Sequence, residues 1–150
     1  ELKDIHHLLK TNGYVMIKAM GGLGKSELAK MYAAQYCNDY HTVQFCKYSG
    51  SLKALVASLS INGITDSEYE IVDKLAKAKN DVLHECDNHT LLIIDNFNVT
   101  YDEYLRDFLP ANNSGFKVMF TTRCELAPDY LSDKVYELTK IRMDKTKRSM

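Results

Sequence analysis

The chain has 150 residues, of which 45% are hydrophobic and 26% are charged, so it can form one globular domain with a core of its own. Its formal net charge of −1 argues against a domain whose whole surface binds nucleic acid. No apolar run is long enough to span a bilayer, so we expect no membrane partner. With no secretory signal in the sequence, we expect a cytoplasmic protein whose four cysteines are reduced.

Helix and strand patterns alternate along the chain. Helical spacing of apolar residues predicts helices over 2–10, 25–38, 51–59, 67–86 and 101–109. Short β-rich runs predict strands over 14–18, 42–48, 91–95, 116–122 and 134–138. The runs at 91–95 and 116–122 are continuously apolar, which is typical of parallel strands buried on both faces. The order therefore predicts an α/β fold with a mostly parallel sheet.

The longest predicted helix is placed by two patterns. Ser67 and Glu70 have the spacing of a capping box, which predicts that the helix begins near Ser67. Apolar residues at helical spacing predict that one face is buried, formed by Ile71, Leu75, Ala78 and Val82.

A glycine-rich segment lies between the first predicted strand and the second predicted helix. It reads Ala19-Met20-Gly21-Gly22-Leu23-Gly24-Lys25-Ser26, one residue away from the phosphate-loop pattern G-x-x-x-x-G-K-[ST]. Glycines let successive backbone N–H groups face inward as an anion nest, and the positive end of the following helix points to the same place. We predict that Lys25 contacts the β- and γ-phosphates of ATP and that the Ser26 hydroxyl binds Mg²⁺. The predicted cofactor-binding residues are Gly21, Gly22, Leu23, Gly24, Lys25, Ser26 and Glu27.

An acidic residue ends the third predicted strand. Asp95 follows Leu91-Leu92-Ile93-Ile94, and a carboxylate at this place orients the water shell of a phosphate-bound Mg²⁺. The next residue is Asn96, where many hydrolases carry a second acid that acts as the base. An amide can orient a water molecule but cannot accept its proton at neutral pH, so we predict slow hydrolysis.

Thr121-Thr122-Arg123 closes the fourth predicted strand. An arginine at the carboxyl edge of a parallel sheet lies where such sheets bind ligands, so Arg123 is predicted to sense the γ-phosphate. A surface ion pair is the alternative for Arg123. For His6 and His7, a half-exposed surface pair is favoured over stacking on an adenine base.

The three segments together resemble the NB-ARC family of STAND signal-transduction ATPases. The matches are 20–26 with Leu28-Ala29, then 91–95, then 121–123, in the order and at the separations typical of the family. The resemblance implies a three-layer P-loop NTPase sandwich of the additional-strand type, with five strands in the order 5-1-4-3-2. It also implies an ATP/ADP switch that self-associates on activation.

Three positions depart from the pattern of the family. Ala19 replaces a glycine, Glu27 stands where a threonine often follows the Mg²⁺ ligand, and Asn96 replaces the second acid. The chain starts at Glu1 and stops at Met150, so we expect the core of a longer protein. The closing helical domains and the sensor and effector domains of that protein are expected outside this chain.

Three other classes of protein fit the sequence less well than the regulatory switch. A motor or loader ATPase acting on DNA or protein needs an efficient base beside Asp95, and Asn96 argues against one. A small-molecule kinase uses an arginine-rich lid, yet residues 1–105 contain no arginine. A GTPase is disfavoured because no Asn-Lys-x-Asp guanine-reading motif is present.

Overall fold

The computed structural model describes residues 2–18, 25–61, 63–85, 89–99, 101–110, 115–123 and 135–137. Its helices are α1 (Leu2–Asn12), α2 (Lys25–Gln35), α3 (Leu52–Ser58), α4 (Val72–Glu85) and α5 (Leu105–Phe108). Its strands are β1 (Tyr14–Lys18), β2 (Thr42–Lys47), β3 (Thr90–Asp95), β4 (Lys117–Thr122) and β5 (Val135–Glu137). None of the helices within these ranges is long and apolar enough to cross a membrane.

The strands form one parallel sheet in the order β2-β3-β4-β1-β5. The α/β class is thus confirmed. The four longer strands lie in the order 1-4-3-2, which places β4 between β1 and β3. The short β5 pairs with the end of β1, from Met16 to Lys18. Because β4 is buried along its whole length and β3 along its apolar run, both are central strands, in agreement with their continuous apolarity.

Helices cover both faces of the sheet, which gives three layers. On one face, α1 and α2 pack on β1 through Ile5, Leu9, Leu28, Ala29 and Tyr32, together with Val15 and Ile17 of the strand. On the other face, α3, α4 and α5 pack on alternate residues of β1, β3 and β4. These residues are Met16, Leu92, Ile94, Val118 and Phe120. The period-2 alternation of strand side chains thus divides the core into two halves.

The prediction for α4 was wrong in its start and in its buried face. A 3₁₀ turn occupies Asp66–Glu68, and the α-helix begins only at Val72. Ile71 is 53% exposed. The residues that α4 buries are Leu75, Ala76, Lys79, Asn80 and Leu83.

Lys79 explains the shift of the buried face. Its ammonium donates hydrogen bonds to the carbonyl oxygens of Ala57 (2.6 Å) and Leu59 (2.5 Å), at the end of α3. It also pairs with the Asp66 carboxylate at 2.8 Å, which holds the 3₁₀ turn against α4. A fully buried lysine is tolerated because its charge is paired and its protons are shared with carbonyls that the helix end leaves without partners.

Helices α3 and α5 differ in how well they were predicted. The Ser51 side chain accepts a hydrogen bond from the Ala54 N–H at 3.1 Å, so Ser51 is the N-cap of α3, which begins one residue after its predicted start. The helix predicted over 101–109 is only the single turn Leu105–Phe108. Asp102 lies before that turn and binds groups outside it, so the preceding residues form a turn and not a helix.

Candidate functional site

Three strands bring their carboxyl ends to one edge of the sheet. Lys18 of β1 is in register with Thr122 of β4, and Ile94 of β3 is in register with Phe120. Asp95 and Thr121 therefore lie side by side at this edge. Ligands of open α/β sheets bind in the crevice beyond the carboxyl ends of the strands, so this edge is the candidate site.

The Asp95 carboxylate is held by a threonine of the neighbouring strand. Thr121 is fully buried, and its hydroxyl donates to Asp95 Oδ1 at 2.5 Å while accepting the Asn96 N–H at 3.1 Å. A hydroxyl has one proton, and the amide can only donate, so the proton must point to the carboxylate. The two bonds together fix the direction of Asp95.

The chain leaves β3 through a tight turn that β4 fixes in place. Asn96 has φ = 61°, a left-handed conformation that asparagine adopts more readily than most residues. The Asn98 N–H donates to the Asn96 carbonyl at 2.8 Å, and the buried Phe97 donates its N–H to the Thr121 carbonyl at 2.8 Å. The turn is therefore closed on itself and bonded to β4.

Asn98 joins this turn to the arginine at the end of β4. Its Oδ1 accepts the Arg123 N–H at 2.8 Å and the Thr122 hydroxyl at 3.3 Å. Residues 95–98 and 121–123 thus form one hydrogen-bonded unit, which we call the β3–β4 junction. It holds the backbone of the exposed Arg123 at a fixed distance from Asp95.

A comparison with models of protein families identifies the family of this chain. The model of the NB-ARC domain matches residues 3–149. The chain belongs to the NB-ARC family. Among curated proteins, none matches its sequence. Membership makes the chain a nucleotide-binding module of the kind found in signalling and defence ATPases, built on the P-loop NTPase fold.

NB-ARC domains bind ATP or ADP, typically with Mg²⁺, and typically form oligomers. Of the loop that would hold the phosphates, residues 19–24 and the side chains of Lys25 and Ser26 lie outside the described residues. The elements on either side of the loop are described. β1 ends at Lys18 and α2 begins at Lys25, which is the strand–loop–helix context that a phosphate loop needs.

Glu27 lies in the first turn of α2, with its side chain on the surface. It is 3.8 Å from Lys30, and both side chains are well exposed, at 71% and 61%. A surface pair of this kind contributes little stability. The Glu27 side chain is thus engaged one turn along the helix, and only its backbone N–H, in the first turn, is suited to an anion.

The donor set at this edge suits Mg²⁺ better than a transition metal. No three His, Cys, Asp or Glu side chains converge to hold a metal within the described ranges. Mg²⁺ needs no such cage, because it keeps several waters and is bound through one or two carboxylates together with the phosphates of a nucleotide. Asp95 is the described carboxylate that fits this role, whereas the Ser26 side chain, predicted to add a hydroxyl, lies outside the described residues.

Asn98 and Asp102 were missed by the sequence analysis. Asn98 lies in a loop without periodicity, and an asparagine there is an ordinary turn residue. Asp102 is buried, and its carboxylate accepts bonds from the Tyr48 hydroxyl at 2.7 Å, the Leu52 N–H at 3.0 Å and the Tyr104 N–H at 2.9 Å. Burial and the bond to Asp102 raise the pKa of Tyr48, so its hydroxyl stays protonated as a donor.

Proposed function

We propose that this NB-ARC domain is an ATP/ADP-binding regulatory switch that hydrolyses ATP slowly. The observation that carries the proposal is the β3–β4 junction, which fixes the acid Asp95 and the backbone of Arg123 in one unit. In this proposal the backbone of the phosphate loop cradles the phosphates, Lys25 contacts the β- and γ-phosphates, and Ser26 and Asp95 hold Mg²⁺. Arg123 contacts the γ-phosphate, so the junction makes a contact with ATP that it cannot make with ADP.

The switch needs two states that the two nucleotides favour unequally, since a ligand shifts an equilibrium only by its differential affinity for the states. We propose that ADP favours a closed monomer and that ATP favours an open form which self-associates. The closing helical domains and the sensor and effector domains would be supplied by the rest of a longer cytoplasmic protein. Bound Mg²⁺ would neutralise phosphate charge during hydrolysis.

Slow hydrolysis is expected because Asn96 stands beside Asp95. We expect turnover well below 1 s⁻¹, the lower end of the usual range of enzyme rates. Asn96→Asp should raise turnover by about ten-fold or more, because a positioned base contributes roughly 10²–10⁴-fold in favourable cases. Aspartate also tolerates the left-handed conformation at this position, so the turn should be kept.

The measurement is steady-state phosphate release from Mg·ATP, with Lys25→Ala as the blank for contaminating ATPases. Fast turnover by the unaltered protein, without any partner, would contradict the switch and favour a motor or loader ATPase. An unchanged rate in Asn96→Asp would show that the missing base is not what limits hydrolysis.

A further inference from the structure

A cavity of about 300 Å³ lies at the opposite edge of the sheet from the proposed nucleotide site. Its lining comes from residues just before β2 and β3, from the first residue of β4, and from α1 and the 3₁₀ turn at Cys37–Asp39. These are amino ends of parallel strands, whereas Asp95 and Arg123 lie at the carboxyl ends. The two places are therefore separated by the length of the strands.

The lining is rich in groups that can be cationic. Among its residues are two lysines and three histidines: His6, Lys10, His41, His89 and Lys117. Asp39 is the one carboxylate among the described lining residues, and it lies 3.4 Å from His6 Nε2. With the histidines neutral at pH 7, the described lining carries two lysines against one carboxylate, a small positive excess.

Lys117 is the buried lysine of this lining. It is only 4% exposed. Burial, and after it the positive charge of Lys10, lower the pKa of Lys117. Burial and Lys10 lower the pKa of His6 as well, against an opposing effect of Asp39. A bound anion would stabilise each of these groups in its charged form.

Packing holds the side chains of the lining in place. His41 and His89 stack with ring centroids 4.8 Å apart and planes 15° apart, and the backbone N–H of His41 donates to the backbone carbonyl of His89 at 2.7 Å. His6 stacks on Tyr36 at 4.0 Å, and its Nδ1 is hydrogen-bonded to the Tyr32 hydroxyl at 2.8 Å. Such preorganisation lowers the cost of ordering side chains when a ligand binds.

We propose that this cavity binds a phosphate group, either as inorganic phosphate or as the end of a small phosphomonoester. A phosphate at neutral pH carries a charge of about −1.5 to −2, which matches the two lysines, and its oxygens accept bonds from imidazole N–H groups. The volume is at the lower end for small-molecule sites, so it suits a compact ligand rather than a nucleotide. The proposal does not depend on the proposed function of the carboxyl edge.

The imidazole signals of the five histidines report the site directly by NMR. Inorganic phosphate is titrated at constant ionic strength and pH, and glycerol phosphate is titrated in a second series. We expect the His41, His89 and His6 signals to shift with one saturating curve. His84, which lies on α4 and bonds the Asp107 carbonyl at 2.9 Å, should stay still. Phosphate bound in the phosphate loop would leave His41 and His89 unmoved.

Matched lysine variants separate this site from general charge effects. Lys10→Gln should weaken phosphate binding about ten-fold, which corresponds to one charge-assisted hydrogen bond. Lys77→Gln, at an exposed lysine of α4 paired with Asp81, should leave phosphate binding unchanged.

The two titrations also identify the ligand. Saturation by glycerol phosphate as well would assign the site to phosphomonoesters, and saturation by inorganic phosphate alone would assign it to the free ion. Histidine signals that do not saturate with either ligand would overturn the proposal.

Discussion

Replacing Asp95 with alanine should weaken the binding of Mg·ATP by about 10- to 100-fold, the usual loss when a group that orients a metal site is removed. Binding of ADP in excess EDTA should change little, because the metal is then absent and the phosphate loop is intact. The measurement is isothermal titration calorimetry of both nucleotides with and without Mg²⁺. Equal losses in the two conditions would mean that Asp95 stabilises the fold and does not serve the metal.

Thr121 offers a finer test of the same site, because its buried hydroxyl bonds the Asp95 carboxylate. Thr121→Val removes the hydroxyl that holds Asp95 Oδ1 and should weaken Mg·ATP binding by a smaller factor than Asp95→Ala. Thr121→Ser keeps the hydroxyl and is the matched control. A serine variant as weak as the valine variant would point to packing in the fully buried strand, and not to the orientation of Asp95, as the cause.

Replacing Asp102 with alanine should lower the free energy of unfolding by about 4 kcal/mol. The carboxylate accepts three hydrogen bonds, and its loss leaves the buried Tyr48 hydroxyl and Leu52 N–H without an acceptor, at about 1–3 kcal/mol each. The melting temperature should fall by roughly 10 °C, since about 2–4 °C corresponds to 1 kcal/mol for a domain of this size.

Urea unfolding followed by circular dichroism measures this effect, and Glu103→Ala is the matched control. Glu103 is the exposed neighbour of Asp102, so its replacement should change the free energy of unfolding by no more than about 0.5 kcal/mol. Equal stability of the two variants would show that Asp102 does not join β2 and α3 to the loop after β3.

The central strands could be predicted from the sequence, because a strand buried on both faces needs apolar side chains on both faces. The continuous runs of β3 and β4 place both in the middle of the sheet, and the bounds of β1 are the predicted ones. The carboxyl-edge residues Asp95 and Arg123 follow from the same logic, since Asp95 ends one buried strand and Arg123 directly follows another. The order of the strands came from the family resemblance, because local sequence says nothing of which strand lies beside which.

The start of α4 and the role of Asp102 could not be predicted, for one reason. Both depend on a polar side chain that is buried because partners distant in sequence satisfy it. Lys79 reaches the end of α3, and Asp102 reaches Tyr48 and Leu52. A pattern based on hydrophobic spacing assigns lysine and aspartate to the surface. For α4 it therefore predicted a buried face containing Ile71, Ala78 and Val82, whereas the helix buries Ala76, Lys79 and Leu83.

This NB-ARC domain is expected to bind Mg·ADP and Mg·ATP through its phosphate loop. Calorimetric titration of both nucleotides into the protein and its Lys25→Ala variant measures that binding. We expect saturable binding, with ADP tighter than ATP, and a loss of at least about 100-fold in Lys25→Ala, since charge-assisted bonds to phosphate contribute roughly 1.5–3 kcal/mol each. If Lys25→Ala binds with the affinity of the unaltered protein, or if the unaltered protein binds neither nucleotide, the phosphate loop is not a nucleotide site.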